Sequence, residues 1–134
     1  MFQIKDSAGQ CHLEIKILGI EYEPEWLVAQ ADYNQNGFAA KFDFSIMLGE
    51  LVSFTKQIQV LFSSLKGEAR FANIEDNINL EFSTDGLGHI NIEGTLRDSS
   101  YTVKTNFLII TDQTFLQDII NGCIQVLNRY GVRT

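Results

Sequence analysis

Apolar and polar residues alternate through most of this chain, and the alternation gives way twice to helical spacing. Cys11, Leu13, Ile15 and Ile17 take turns with His12, Glu14 and Lys16, the period-two pattern of a strand with one wet face. A shorter strand, Phe2 to Lys5, precedes it and ends at Asp6-Ser7-Ala8-Gly9. After a turn region from Gly19 to Pro24, Trp26 to Tyr33 reads as extended. Asn34-Gln35-Asn36-Gly37 is a hairpin signal, because Asn and Gly tolerate positive φ. Phe38, Ala40, Phe42 and Phe44 form the expected inward face of the returning strand, with Lys41 and Asp43 outward.

The period changes at Leu48. Leu48, Leu51, Val52, Thr55, Ile58, Phe62 and Leu65 recur at helical spacing, and Lys66-Gly67 marks the stop. Alternation resumes with Ala69 and Phe71, then Ile78, Leu80 and Phe82, then Ile90, Ile92, Gly94 and Leu96. Ser83 to Gly88 and Arg97-Asp98-Ser99-Ser100 supply the turns. In the last strand, Tyr101, Val103, Thr105, Phe107 and Ile109 point one way. Leu108 and Ile110 make the opposite face apolar too, so the strand's end is expected to be covered. Thr111-Asp112-Gln113-Thr114 then opens a helix carrying Leu116, Ile119, Ile120, Cys123, Leu127 and Tyr130, and Thr114 and Gln117 have capping-box spacing. The order is ββββαββββα with short links, which favours antiparallel neighbours. The expected fold is α+β, an antiparallel system of about eight strands with two amphipathic helices. One domain over residues 1–134 is expected.

Charge narrows the partners. The formal net charge is −7, so nucleic acid phosphates would be repelled, while a basic protein would be steered in. No apolar run is long enough for a membrane-spanning helix, and Met-Phe-Gln-Ile-Lys-Asp does not read as an export signal, so a cytoplasmic location is expected. On that basis Cys11 and Cys123, both on apolar faces, are expected as buried reduced thiols.

Candidate chemistry is sparse. His12 and His89 fall on polar sides of strands. His89 beside Glu93 could act as a general base, but two residues along a strand separates their Cβ atoms by about 7 Å, and a hairpin-rim histidine is the favoured reading. Gly86-Leu87-Gly88 lies between strands and opens no helix, so its glycines read as turn residues. No cofactor or metal motif is present. The most concentrated acidic set is Glu21, Glu23 and Glu25, with Asp32 and Asp43 on neighbouring elements. Together with Tyr22 and Trp26 these residues could form a partner-binding patch of steering charge and aromatic anchors, although Trp26 is favoured as a core residue.

Several residues carry a family likeness. They are Glu25-Trp26-Leu27, Gly37-Phe38-Ala39-Ala40, Leu51, Phe54 and Leu61, Gly88-His89-Ile90, and Asp112-Gln113-Thr114-Phe115-Leu116. The chain resembles the small bacterial WapI-type immunity proteins and their relatives, from the second strand to the final helix. The resemblance implies a cytoplasmic, non-catalytic antitoxin that binds the toxic domain of a polymorphic toxin, often a nuclease. Its motifs, Gly88, His89, Asp112, Gln113 and Thr114, sit at hinges and caps, where a fold needs them. The leading expectation is a binding module that meets a basic toxin domain, as a monomer or weak homodimer. The rivals are a structural or ligand-binding β protein and a hydrolase using Glu21, Glu23, Glu81 or Glu93.

Overall fold

The computed structural model describes residues 1–21 and 25–131. Two antiparallel meanders each lead into a helix. The first contains β1 (Phe2–Lys5), β2 (Cys11–Ile20), β3 (Trp26–Gln35) and β4 (Phe38–Met47), followed by α1 (Leu48–Ser64). The second contains β5 (Glu68–Ala72), β6 (Ile78–Thr84), β7 (His89–Arg97) and β8 (Lys104–Asp112), followed by a 3-10 turn (Gln113–Phe115) and α2 (Leu116–Arg129). Strands lie in chain order within two separate four-stranded sheets. The class is α+β, with the element order read from the alternation.

Local chemistry sets the boundaries. Asn36 and Gly37 take φ of 52° and 87° and join Gln35 to Phe38 in two residues, a connection whose twist matches that of the strands. At the start of α1 the Glu50 side chain accepts from the Met47 N–H at 2.9 Å. The helix ends on Leu65 in the left-handed region, its N–H still bonded to the Leu61 carbonyl.

Aromatic contacts join the halves. Phe54 of α1 lies 5.1 Å from Phe71 of β5 and 5.5 Å from Phe82 of β6, ring centre to ring centre. Phe2 of β1 meets the edge of Phe71 at 5.3 Å, and Tyr33 of β3 stacks on Phe107 of β8 at 4.4 Å. The helices pack on each other, α1 against β5 and α2 against β1.

Several expectations are corrected. Phe38, expected inward, is 70% exposed because it begins β4 at the hairpin tip, beyond the reach of the opposing sheet. Strand β2 continues past Ile17 to Ile20, with its register shifting between Ile17 and Gly19. Tyr101 and Val103 precede β8, in a loop tied by the Asp98 side chain. Leu108 and Ile110 are 50% and 49% exposed, so the end of β8 is not covered on both faces. Cys11 is exposed and only Cys123 is buried, where desolvation pushes its thiol up to about 12. His12 is 8% exposed rather than on the wet face. Ile4 pairs with Leu13 but Lys5 with Cys11, which leaves His12 as the extra residue of a bulge and turns it inward. The Thr114–Gln117 capping box does not form: Asp112 caps the 3-10 turn, and the Gln117 side chain bonds Asn121.

Candidate functional site

The outward face of the first sheet gathers part of the expected acidic patch. Cross-strand pairing sets Asp32 opposite Lys41 and Asp43 opposite Gln30, and residues directly opposite share a face. Gln30 Nε2 donates to Asp43 at 3.2 Å. Glu21, just past β2, reaches the same face and accepts from Ser45 Oγ at 2.7 Å. Glu25 is exposed at the end of this sheet, its carbonyl accepting from the Leu48 N–H at 2.8 Å. Tyr22 and Glu23 lie outside the described residues. Trp26 is half-buried, opposite Met47.

Glu14 joins this face, and sequence reasoning did not single it out, although its position on the polar side of the β2 alternation was the available signal. Gln3 donates to it at 3.1 Å and Lys16 stands 3.4 Å away; the Gln3 bond foremost holds its carboxyl below the usual range. The carboxylates of Glu14, Glu21 and Asp43 each have a side-chain donor, and Asp32 faces a lysine across the ladder.

The outward face of the second sheet is different. Arg70, Glu81, Glu93 and Leu108 form one cross-strand row, and Glu68, Ser83, Asn91 and Ile110 the next. Glu81 and Glu93 are thus directly opposite and both exposed, and among the described residues no ion pair neutralises either. Arg70, the neighbour of Glu81, directs its Nε to Asn79 at 2.9 Å. A depression of about 440 Å³ lies here, lined by Asn79, Glu81, Glu93, Thr95, Asn106 and Leu108. Of the acids in the hydrolase reading, Glu81 and Glu93 share a face, Glu21 lies on the other sheet, and Glu23 is outside the described residues.

The two short motifs meet in space. Gly88, at φ 97°, offers its carbonyl to the Gln113 N–H at 2.9 Å. His89 pairs with Asp112 across the ladder, and Asp112 accepts from the Thr114 N–H at 3.0 Å. This joint anchors the start of β7 to the entry of α2. His89 Nδ1 lies 2.8 Å from Asp85, not beside Glu93 as the general-base reading requires. The Leu87 N–H foremost, with His89 adding, holds the Asp85 carboxyl below its usual range.

The other histidine lies in a more enclosed setting. His12 Nε2 stands 2.8 Å from Asp6 Oδ2, and Nδ1 stands 3.1 Å from the Asn34 carbonyl. Both partners are acceptors, so the ring donates to both only when it carries two protons. The arrangement ties the β1–β2 turn to the end of β3. Among the described residues, no group of three or more His, Cys, Asp and Glu could hold a metal ion, and no helix is long and apolar enough to cross a membrane.

A comparison with curated proteins finds no match. The model of the WapI-like immunity protein family matches residues 3–131, which takes in both sheets and both helices. Membership in such a family points to a toxin-neutralising role, exercised by binding a partner protein. The chain belongs to the WapI-like immunity protein family.

Proposed function

We propose that this protein neutralises a basic toxin domain, a nuclease being the favoured kind, by non-covalent occlusion in the cytoplasm, without catalysis of its own. The observation that carries the reading is the family match across residues 3–131. The charge supports it: a surface with a net of −7 attracts a domain built to hold phosphates and accelerates encounter. The two outward sheet faces offer rigid surfaces set by ladder hydrogen bonds, which lets a partner bind without ordering loops.

The test pairs this chain with a toxin-like domain sought in the neighbouring reading frame. Co-expression should restore growth, and the purified proteins should form a 1:1 complex that weakens about tenfold or more when salt is raised from about 0.05 to 0.5 M. Growth arrest that persists in the presence of folded protein, with no complex detected, rejects the reading.

A further inference from the structure

The two sheet faces are not equivalent as binding surfaces. On the first, the carboxylates of Glu14, Glu21 and Asp43 are engaged locally by Gln3, Lys16, Gln30 and Ser45, and Asp32 faces Lys41 across the ladder. On the second, Glu81 and Glu93 stand opposite one another with no ion-pair partner among the described residues. Arg70 stands opposite Glu81 on the other side but turns its Nε to Asn79 and makes no ion pair with either carboxylate, so the repulsion of like charges directly opposite on the ladder is not cancelled by contact. The cost is removed when a cation from outside sits between them.

Exposed aliphatic residues lie beside this pair. Leu108 is opposite Glu93 and Ile110 opposite Asn91, so both side chains stand on the same face as the carboxylates. Their backbone edge is already closed: Leu108 offers its carbonyl to Gln35 Nε2 at 3.0 Å, and Ile110 to the Ser7 N–H at 3.2 Å. An added strand at this edge would have to displace both bonds, so a partner meets these residues across the face. The depression of about 440 Å³ that Glu81, Glu93 and Leu108 help to line has room for a long side chain.

We propose that the outer face of the second sheet, centred on Glu81, Glu93, Leu108 and Ile110, is the surface that engages the toxin domain, with a lysine or arginine of the partner between the two carboxylates and an apolar side chain on the aliphatic pair. This rests on the immunity reading above and assigns its surface. A second copy of this chain fits poorly, because two-fold pairing through the face would bring four carboxylates together. A hard metal ion needs more oxygen ligands than two side chains give. A basic side chain needs only the two acceptors and the wall that Leu108 supplies.

The experiment measures toxin-domain affinity for the natural chain and four double variants, each checked for its fold by circular dichroism. Glu81→Lys/Glu93→Lys should weaken binding about a hundredfold, and Leu108→Ser/Ile110→Ser about tenfold. Asp32→Lys/Asp43→Lys on the first sheet should change it by less than about threefold. The neutral Glu81→Gln/Glu93→Gln, which removes the repulsion and keeps the shape, should bind about tenfold more weakly while melting no earlier than the natural chain. Unchanged affinity in the folded Lys and Gln double variants overturns the assignment, as does loss confined to the Asp32/Asp43 variant. If the natural chain itself does not bind, the immunity reading fails and this surface falls with it; loss confined to particular variants tests the surface alone.

Discussion

Asp98 holds the loop before β8 in place with its side chain. Its carboxylate accepts from the Ser100 hydroxyl at 2.6 Å, the Thr102 N–H and hydroxyl each at 2.9 Å, and the Val103 N–H at 3.0 Å. These donors, the Ser100 hydroxyl foremost, pull its carboxyl from an ordinary 3.8 down to about 2. A pKa lower in the folded state than in the unfolded state means that folding favours the ionised form. The stabilisation is therefore complete above about pH 4 and is lost as pH falls through about 2. Asp98→Ala should unfold at lower denaturant than the natural chain at neutral pH, and the gap between them should narrow steadily toward pH 2. Denaturant titrations of both proteins across that range measure it, and a gap that stays constant into acid would show that the charge is not what matters. Sequence alone presents Asp98 as one polar residue in a turn and cannot show that four donors converge on it. His12 is a similar case: its neighbours alternate, and the bulge that turns it inward depends on how Lys5 pairs with Cys11.

Strand β7 shows what alternation reveals and what it leaves out. Ile90, Ile92, Gly94 and Leu96 are all buried, as their spacing predicts, but the reason for a glycine among them lies on another strand. A Cβ built on Gly94 would fall 2.1 Å from the Phe107 ring, which lies opposite on β8 and stacks on Tyr33 at 4.4 Å. The ring is held between the two, so Gly94→Ala has to push it off Tyr33 and should cost about 1–3 kcal/mol. Phe107→Ala removes the clash along with the stacking. The double variant should therefore lie closer in stability to Phe107→Ala alone than additivity predicts, and thermal melts of the four proteins decide it. Additive losses would mean that the ring already has room to move. The helices and hairpins were the most legible elements, since Asn36-Gly37 and the Leu48–Leu65 stripe are local signals. The candidate surface was the least legible. Leu108 and Ile110 looked like residues awaiting a cover, because a strand's own residues say that a face is apolar and not whether anything lies over it. Glu81 and Glu93 become opposite neighbours only through the β6–β7 register.

At the scale of the whole molecule, each meander delivers its helix to the other one. Helix α1 leaves the first sheet and packs against β5, while α2 leaves the second sheet and packs against β1. The buried residues of both halves form one cluster, with Phe54 lodged against Phe71 and Phe82. Burying a large apolar side chain stabilises by about 1.5–3 kcal/mol, and these contacts exist only when both halves are present. We therefore expect one cooperative unit. The single Trp, Trp26 in β3, reports on the first sheet, whereas far-ultraviolet circular dichroism reports on both helices. The two signals should share one midpoint in urea. Separated between Lys66 and Gly67, residues 1–66 and 67–134 should each lack stable structure alone, because α1 would lose β5 and α2 would lose β1. Mixing the fragments should restore the helical signal, since the missing surface on each is the helix or edge strand that the other supplies. A first fragment that melts cooperatively by itself would show instead that the first meander and α1 hold their own core.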